Sequence, residues 1–173
     1  MKCKNGYTLV ELIITLGIVA FISVFIITFL SVNTKSVSKI KNNSELQFQA
    51  QYILNFIANK VMESKNVEAA VSGTESVMKS KYEYNITNLA LRYSENDDRF
   101  YLFRIADRKI YYGNSKSSVL ASSELGTYVK ELKIKPYPEG SSFTDAKALR
   151  ITVVLCKGDE EYCATQLVHM RLS

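Results

Sequence analysis

Histidine is nearly missing from this chain: of 173 residues, only His169 carries an imidazole. No Ser/His/Asp set can be assembled around it, and the seven glycines form no phosphate-binding loop. Catalysis therefore has little to stand on, and the chain is read as a non-enzyme without a cofactor. Cysteine is scarce as well, at three. Cys156, Cys163 and His169 make a poor metal set, because His169 is expected beside Arg150 on an outer sheet face, and no metal is expected. Asp159, Glu160 and Glu161 lack the alternating oxygen ligands of a calcium loop and read as a solvated turn. Excess charge of one sign is missing too. A formal charge of +5 is too mild to imply nucleic-acid binding, and the 11 Tyr and 8 Phe fall at strand and helix spacing rather than along a basic stripe.

The most informative absence is local. Between residues 5 and 34 the only ionisable side chains are Tyr7 and Glu11, and residues 12–32 are almost continuously apolar. As a helix that run spans roughly 30 Å, the thickness of a bilayer core. A secretory signal would end in a cleavage site after the apolar region, and Ser31, Val32 and Asn33 fit one poorly, so the segment is expected to stay in the protein. Lysines flank both ends (Lys2 and Lys4 before, Lys35, Lys39 and Lys41 after), so the positive-inside rule assigns no orientation. What length remains suits one globular unit.

After Thr34 neither Pro nor Gly interrupts a helical period in which Leu46, Ala50, Ile53, Ile57 and Val61 recur at spacings of three and four, with Leu54, Phe56 and Ala58 widening the stripe. The pattern predicts one helix from about Tyr7 to about Asn66, with Ser and Gly at residues 71–74 marking its end. Short β-like runs follow. Asn96-Asp97-Asp98 reads as a turn, and residues 100–106 and 109–112 as a hairpin around Asp107-Arg108, closed by Gly113-Asn114. Residues 128–135 alternate as a strand that stops at Pro136-Tyr137-Pro138-Glu139-Gly140. In the last hairpin Leu149, Ile151, Val153 and Leu155 share one face, and Ala164, Val168 and Met170 share a face of the partner strand.

The residues Gly6-Tyr7-Thr8-Leu9-Val10-Glu11-Leu12, behind a short basic leader and ahead of the apolar run, resemble the class III signal of type IV prepilins and pseudopilins. The resemblance implies an α+β protein: a long N-terminal helix, membrane-bound in its first half, packed through its second half on an antiparallel sheet. The expected division is 1–6 leader, 7–34 transmembrane, 35–68 amphipathic helix and 69–173 head. In that family a membrane peptidase cuts after the glycine, here Gly6, on the cytoplasmic side and methylates the new amino terminus, here Tyr7. A glycine lets the backbone enter a narrow cleft without a side-chain clash. Removing the two leader lysines from 22 basic residues leaves 20 against 17 acidic.

Glu11 is implied to pair with the amino terminus of a neighbouring subunit and to set axial register in the fibre. The partners implied are other major and minor pilins, the prepilin peptidase, the inner-membrane assembly platform and, before assembly, membrane lipid. The expected location is the cytoplasmic membrane, spanned once with the N-terminus inside, and then an extracellular fibre. Cys156 and Cys163, left as a pair in the exported part, are expected to form a disulfide across the last hairpin. Residues 51–64, 128–134, 149–155 and 166–171 look like the J/W type of minor pilin. Two departures stand out: Thr28 lies where many major subunits have proline, and Tyr7 replaces the usual Phe. The alternative is a membrane-anchored binding module, for adhesion or DNA, that keeps residues 1–6 and never polymerises.

Overall fold

The computed structural model describes residues 8–94, 97–115 and 121–171. They form a helix, α1 (Leu9–Glu63), followed by ten strands: β1 (Asn66–Ser72), β2 (Glu75–Ser76), β3 (Tyr84–Asn85), β4 (Asn88–Ser94), β5 (Asp97–Ala106), β6 (Lys109–Ser115), β7 (Ser123–Thr127), β8 (Val129–Tyr137), β9 (Ala148–Lys157) and β10 (Glu160–His169). The class is α+β, as expected. The chain divides into two compact units, Met1–Lys41 and Asn42–Ser173.

In the first unit every described side chain is exposed. Leu9, Ile13, Leu16, Phe21, Phe25 and Phe29 are each more than half accessible, an arrangement that water alone would penalise. The helix is long and apolar enough to cross a membrane. Most of its hydroxyls do not hang free. Thr15, Ser23, Thr28, Ser31, Thr34 and Ser36 each donate to a carbonyl three or four residues back, at 2.8 to 3.1 Å.

The second unit is built around the rest of α1. Leu46, Ala50, Ile53, Ile57 and Val61, the stripe expected from the period, are all completely buried. They face two antiparallel sheets, one of six strands in the order β2-β1-β4-β5-β6-β7 and one of four in the order β10-β9-β8-β3. Phe56 meets the larger sheet edge-on, with ring centroids 6.4 Å from Phe103 and 4.9 Å from Tyr112. Glu45 reaches Lys157 of β9 at 2.5 Å. Gln49 Oε1 accepts from both the backbone N–H and the hydroxyl of Thr127, each at 3.2 Å. Beside Thr127, Gly126 lies so near the helix that an added Cβ would stand 2.6 Å from Ile53 Cδ1.

Several boundaries differ from expectation. α1 stops at Glu63, before Asn66, because Ser64 turns its hydroxyl onto the Lys60 carbonyl at 2.5 Å and its N–H onto Val61. The Ser/Gly stretch ends no helix: it closes the β1–β2 hairpin, with Gly73 at a φ of 61°. The 107–108 hairpin is present, its two loop residues at φ 52° and 58°, the left-handed pair that a two-residue turn needs. Gly113-Asn114 does not close it, since β6 continues to Ser115 and pairs Gly113 with Leu102. β8 runs through Pro136 to Tyr137. β3 covers only Lys133 and Ile134, so at Pro136 the strand has an open edge on which a missing N–H costs nothing. Of the turn expected at 96–98, Asn96 lies outside the described residues, and Asp97 already belongs to β5.

Candidate assembly site at the start of the helix

Gly6 and Tyr7, the expected cleavage and methylation positions, lie outside the described residues. Glu11 lies within them, in the first turn of α1. Its Oε2 accepts from the Thr8 backbone N–H at 2.9 Å and from the Thr8 hydroxyl at 3.0 Å. The Glu11 N–H in turn donates to Thr8 Oγ1 at 3.3 Å. This reciprocal arrangement is a capping box, with Thr8 at the N-cap and Glu11 three residues on, and it satisfies two helix donors that otherwise have no partner. Both bonds to the carboxylate fall on Oε2, and Oε1 has no partner among the described residues. A single side chain thus closes its own helix with one oxygen and leaves the other uncommitted among the described residues. Thr8 is the site residue that the sequence analysis missed; its signal was the Thr-x-x-Glu spacing.

The other expected positions are not drawn into this site. Cys156 and Cys163 are free thiols. β9 and β10 pair in one uninterrupted register that sets Cys156 opposite Glu161 and Cys163 opposite Val154, two residues away from the pairing a bridge assumes. Cys156 Sγ instead donates to the Gly158 carbonyl at 3.5 Å. The shift is an even number, so the faces are as expected: Leu149 opposes Val168 and Val153 opposes Ala164, with Gln166 against Ile151. His169 is exposed opposite Ala148, and among the described residues no group of three His, Cys, Asp or Glu side chains is arranged to hold a metal ion. Glu161 of the acidic turn is paired with Lys130 at 2.7 Å.

A second polar cluster closes the far end of α1. Glu63 Oε2 accepts from Lys60 Nζ at 2.8 Å and from the Tyr101 hydroxyl at 2.7 Å. The Lys60 ammonium stands 4.7 Å from the Tyr101 ring centroid. The hydrogen bond from Lys60, and then that from Tyr101, holds the Glu63 carboxyl below its ordinary value. Burial, followed by the bond to Glu63, pushes the Tyr101 phenol far above its ordinary value. No periodicity announces such a cluster, since it joins residues from the helix end and from β5.

Residues 1–27 match the family model of the prokaryotic N-terminal methylation motif. The match supports a type IV pilin-like class III signal, and with the apolar helix it fits membrane anchoring. No curated protein and no solved structure matches the chain.

Proposed function

We propose that this chain is a minor pilin or pseudopilin: a structural subunit, not an enzyme, cut after Gly6 by a prepilin peptidase, methylated on Tyr7, and incorporated into a type IV pilus-like fibre at its initiating or tip complex. The carrying observation is the capped start of a helix whose residues 12–34 are all exposed and carry no charge, the cap lying within the residues that match the methylation motif. A charge in hydrocarbon costs about 2.5 to 3.5 kcal/mol at the centre of the bilayer and less near the interface, so Glu11 needs a partner. Thr8 is its partner within the chain; the methylated amine of a neighbouring subunit fills the open oxygen in the fibre. The polymerisation platform and other pilins are its working partners. Thr28 in place of proline supports a minor rather than a major subunit.

N-terminal mass spectrometry on membranes and on sheared fibres tests this reading. The mature chain is expected to begin at Tyr7 with one added methyl group and to occur in both fractions. Gly6→Val is expected to block cleavage and hold the chain in the membrane. Glu11→Ala is expected to be cleaved normally and lost from fibres. A chain that keeps residues 1–6 wherever it is found would instead be the anchored binding module. Glu11→Ala at the unmutated level in fibres would remove the register role.

A further inference from the structure

Four strands end the two sheets, β2 and β7 on the larger and β10 and β3 on the smaller. β2 and β3 are two residues long and β7 is five, lengths that offer a foreign strand little to pair with. β10 is different. It runs for ten residues in one register against β9, whereas the β1–β4, β4–β5, β6–β7 and β8–β9 pairings each contain a register shift. It holds no Pro, Gly, Lys or Arg. Short length, bulges, prolines and lysines, the devices that blunt a sheet edge, are thus all missing from it.

Three hydrogen bonds fix which backbone groups β10 turns outward. The Met170 N–H donates to the Lys147 carbonyl at 2.9 Å, one step beyond the β9–β10 ladder, so the even-numbered residues are those whose main chain faces β9. The Cys156 N–H donates to Tyr128, before β8, at 2.8 Å, which places the residue opposite it, Glu161, among those facing away. The Arg171 N–H, outward by the same parity, meets the Ser64 carbonyl at 2.9 Å. Before that point the outward groups belong to Glu161, Cys163, Thr165, Leu167 and His169, all exposed and bonded by no other described backbone group. Water serves them in the isolated chain. Their spacing is that of a strand, and its complement is another extended main chain.

The side chains specify that complement further. Tyr162 and Ala164 stand partly buried on the core side, where apolar residues of an added strand would cover them. The other face presents Glu161, already beside Lys130, and Cys163, Thr165, Leu167 and His169, to which polar or basic residues are better matched than acidic ones. On the membrane role proposed above, a second copy fits poorly. No other edge of the chain equals β10 in length, so two copies would join β10 to β10 about a two-fold axis perpendicular to the sheet. That axis reverses α1, whose buried stripe lies against the sheet, whereas copies anchored in one membrane by the same helix run the same way.

We propose that β10 is a docking edge: an extended segment of another protein, apolar at alternate positions and polar or basic between them, adds to the smaller sheet beside β10. It bonds the outward N–H and C=O groups of Glu161, Cys163, Thr165, Leu167 and His169, up to about ten main-chain bonds, as many as an ordinary protein–protein interface carries.

The test titrates the full ¹⁵N-labelled chain in detergent micelles with a peptide of the same length as β10, ten residues, in which valine alternates with lysine and threonine. The control is the same peptide with prolines at its centre. The first peptide is expected to saturate and to slow hydrogen exchange at the five outward amides, leaving those of Tyr162, Ala164, Gln166 and Val168, already bonded to β9, little changed. The proline peptide is expected to bind at least about tenfold more weakly. Thr165→Pro removes the central outward N–H without breaking a bond to β9, and is expected to weaken binding by about tenfold or more. If that variant does not fold, the alternation of slowed amides in the unmutated chain decides. Absence of saturation up to the peptide's solubility limit overturns the proposal, as does equal binding of the proline peptide or protection that falls on other amides. Protection of the same five amides that rises with the concentration of the chain alone gives the edge to a second copy, and overturns it too. None of these readouts depends on cleavage or on Glu11, so their failure leaves the function proposed above standing.

Discussion

Gly126→Ala is a small change whose sign depends on one neighbour. The glycine is not at positive φ, so its backbone accepts alanine. Taken alone, the substitution would stabilise by roughly 0.4 to 1 kcal/mol by restricting the unfolded chain. Against that stands the helix. The new methyl meets Ile53 Cδ1 at 2.6 Å and Cγ1 at 2.9 Å, and the completely buried Ile53 can yield only by turning its end toward the groove it lines together with Gly126. Overpacking of this kind costs about 1 to 3 kcal/mol. The net expectation is a loss of about 1 to 2 kcal/mol, the clash outweighing the entropy gain. Ile53→Ala removes both clashing atoms and costs about 2 to 5 kcal/mol by itself. In that background Gly126→Ala should become neutral or stabilising, because its methyl then enters vacated space. Equilibrium denaturation of the four chains in detergent, followed by near-ultraviolet circular dichroism of the 11 tyrosines, measures the cycle; the absence of tryptophan leaves that signal clean. Additive effects, or a neutral Gly126→Ala beside an intact Ile53, would refute the close approach of β7 to the helix.

Tyr101→Phe removes the hydroxyl that serves Glu63 and is expected to lower stability by roughly 0.5 to 1.5 kcal/mol in the same assay. Since Glu63 has a depressed pKa, its contribution is present above the ordinary carboxylate value and is lost as pH falls through the lower, folded value. Tyr101 is shifted upward, so its contribution is complete below the ordinary phenol value and declines above it; a stability profile in Tyr101→Phe that keeps the full alkaline decline would contradict this. In the observed register Cys156 and Cys163 are diagonal neighbours, with Cα atoms about 7 to 8 Å apart against the roughly 4.4 to 6.8 Å a disulfide spans. Both are therefore expected to alkylate in the native chain without reductant, and failure of both to label would show a bridge and a slipped β10.

The helix was legible in the sequence because its information is local and periodic. An uncharged run and a three-four spacing each say which medium a face meets, and the five stripe residues proved to be the ones completely buried. Faces of the last hairpin were equally legible, since alternation fixes parity. Register was not. Pairings that differ by two residues leave every side chain on the same face, and the choice among them rests on where the 158–159 turn falls, which the polar run 157–161 leaves open. The division into two sheets was hidden for a related reason. The burial of β1 and β4 depends on partners distant in sequence, so the helix was carried to about Asn66, with its end placed at 71–74, and no strand was read over Asn66–Ser72. At the candidate site, Glu11 stood out as the lone acid in an apolar run, whereas Thr8 was overshadowed by the signal around it. The open edge of β10 carried no sequence signal: which strand ends a sheet is visible only once the surrounding chain is in place.

The hydroxyls along the membrane segment give that helix a capacity its hydropathy conceals. Each is now engaged with a carbonyl of its own backbone, so lipid sees no orphan donor. A rotation about a single side-chain bond re-aims the same donor at a helix alongside, and interhelical bonds of this sort average only about 0.6 kcal/mol. Moving from hydrocarbon to a bundle of like helices, and back again, thus exchanges one satisfied state for another. A segment with these properties can change surroundings in either direction without a steep climb, which is what the function proposed above, insertion in a bilayer followed by packing into a fibre, would ask of it.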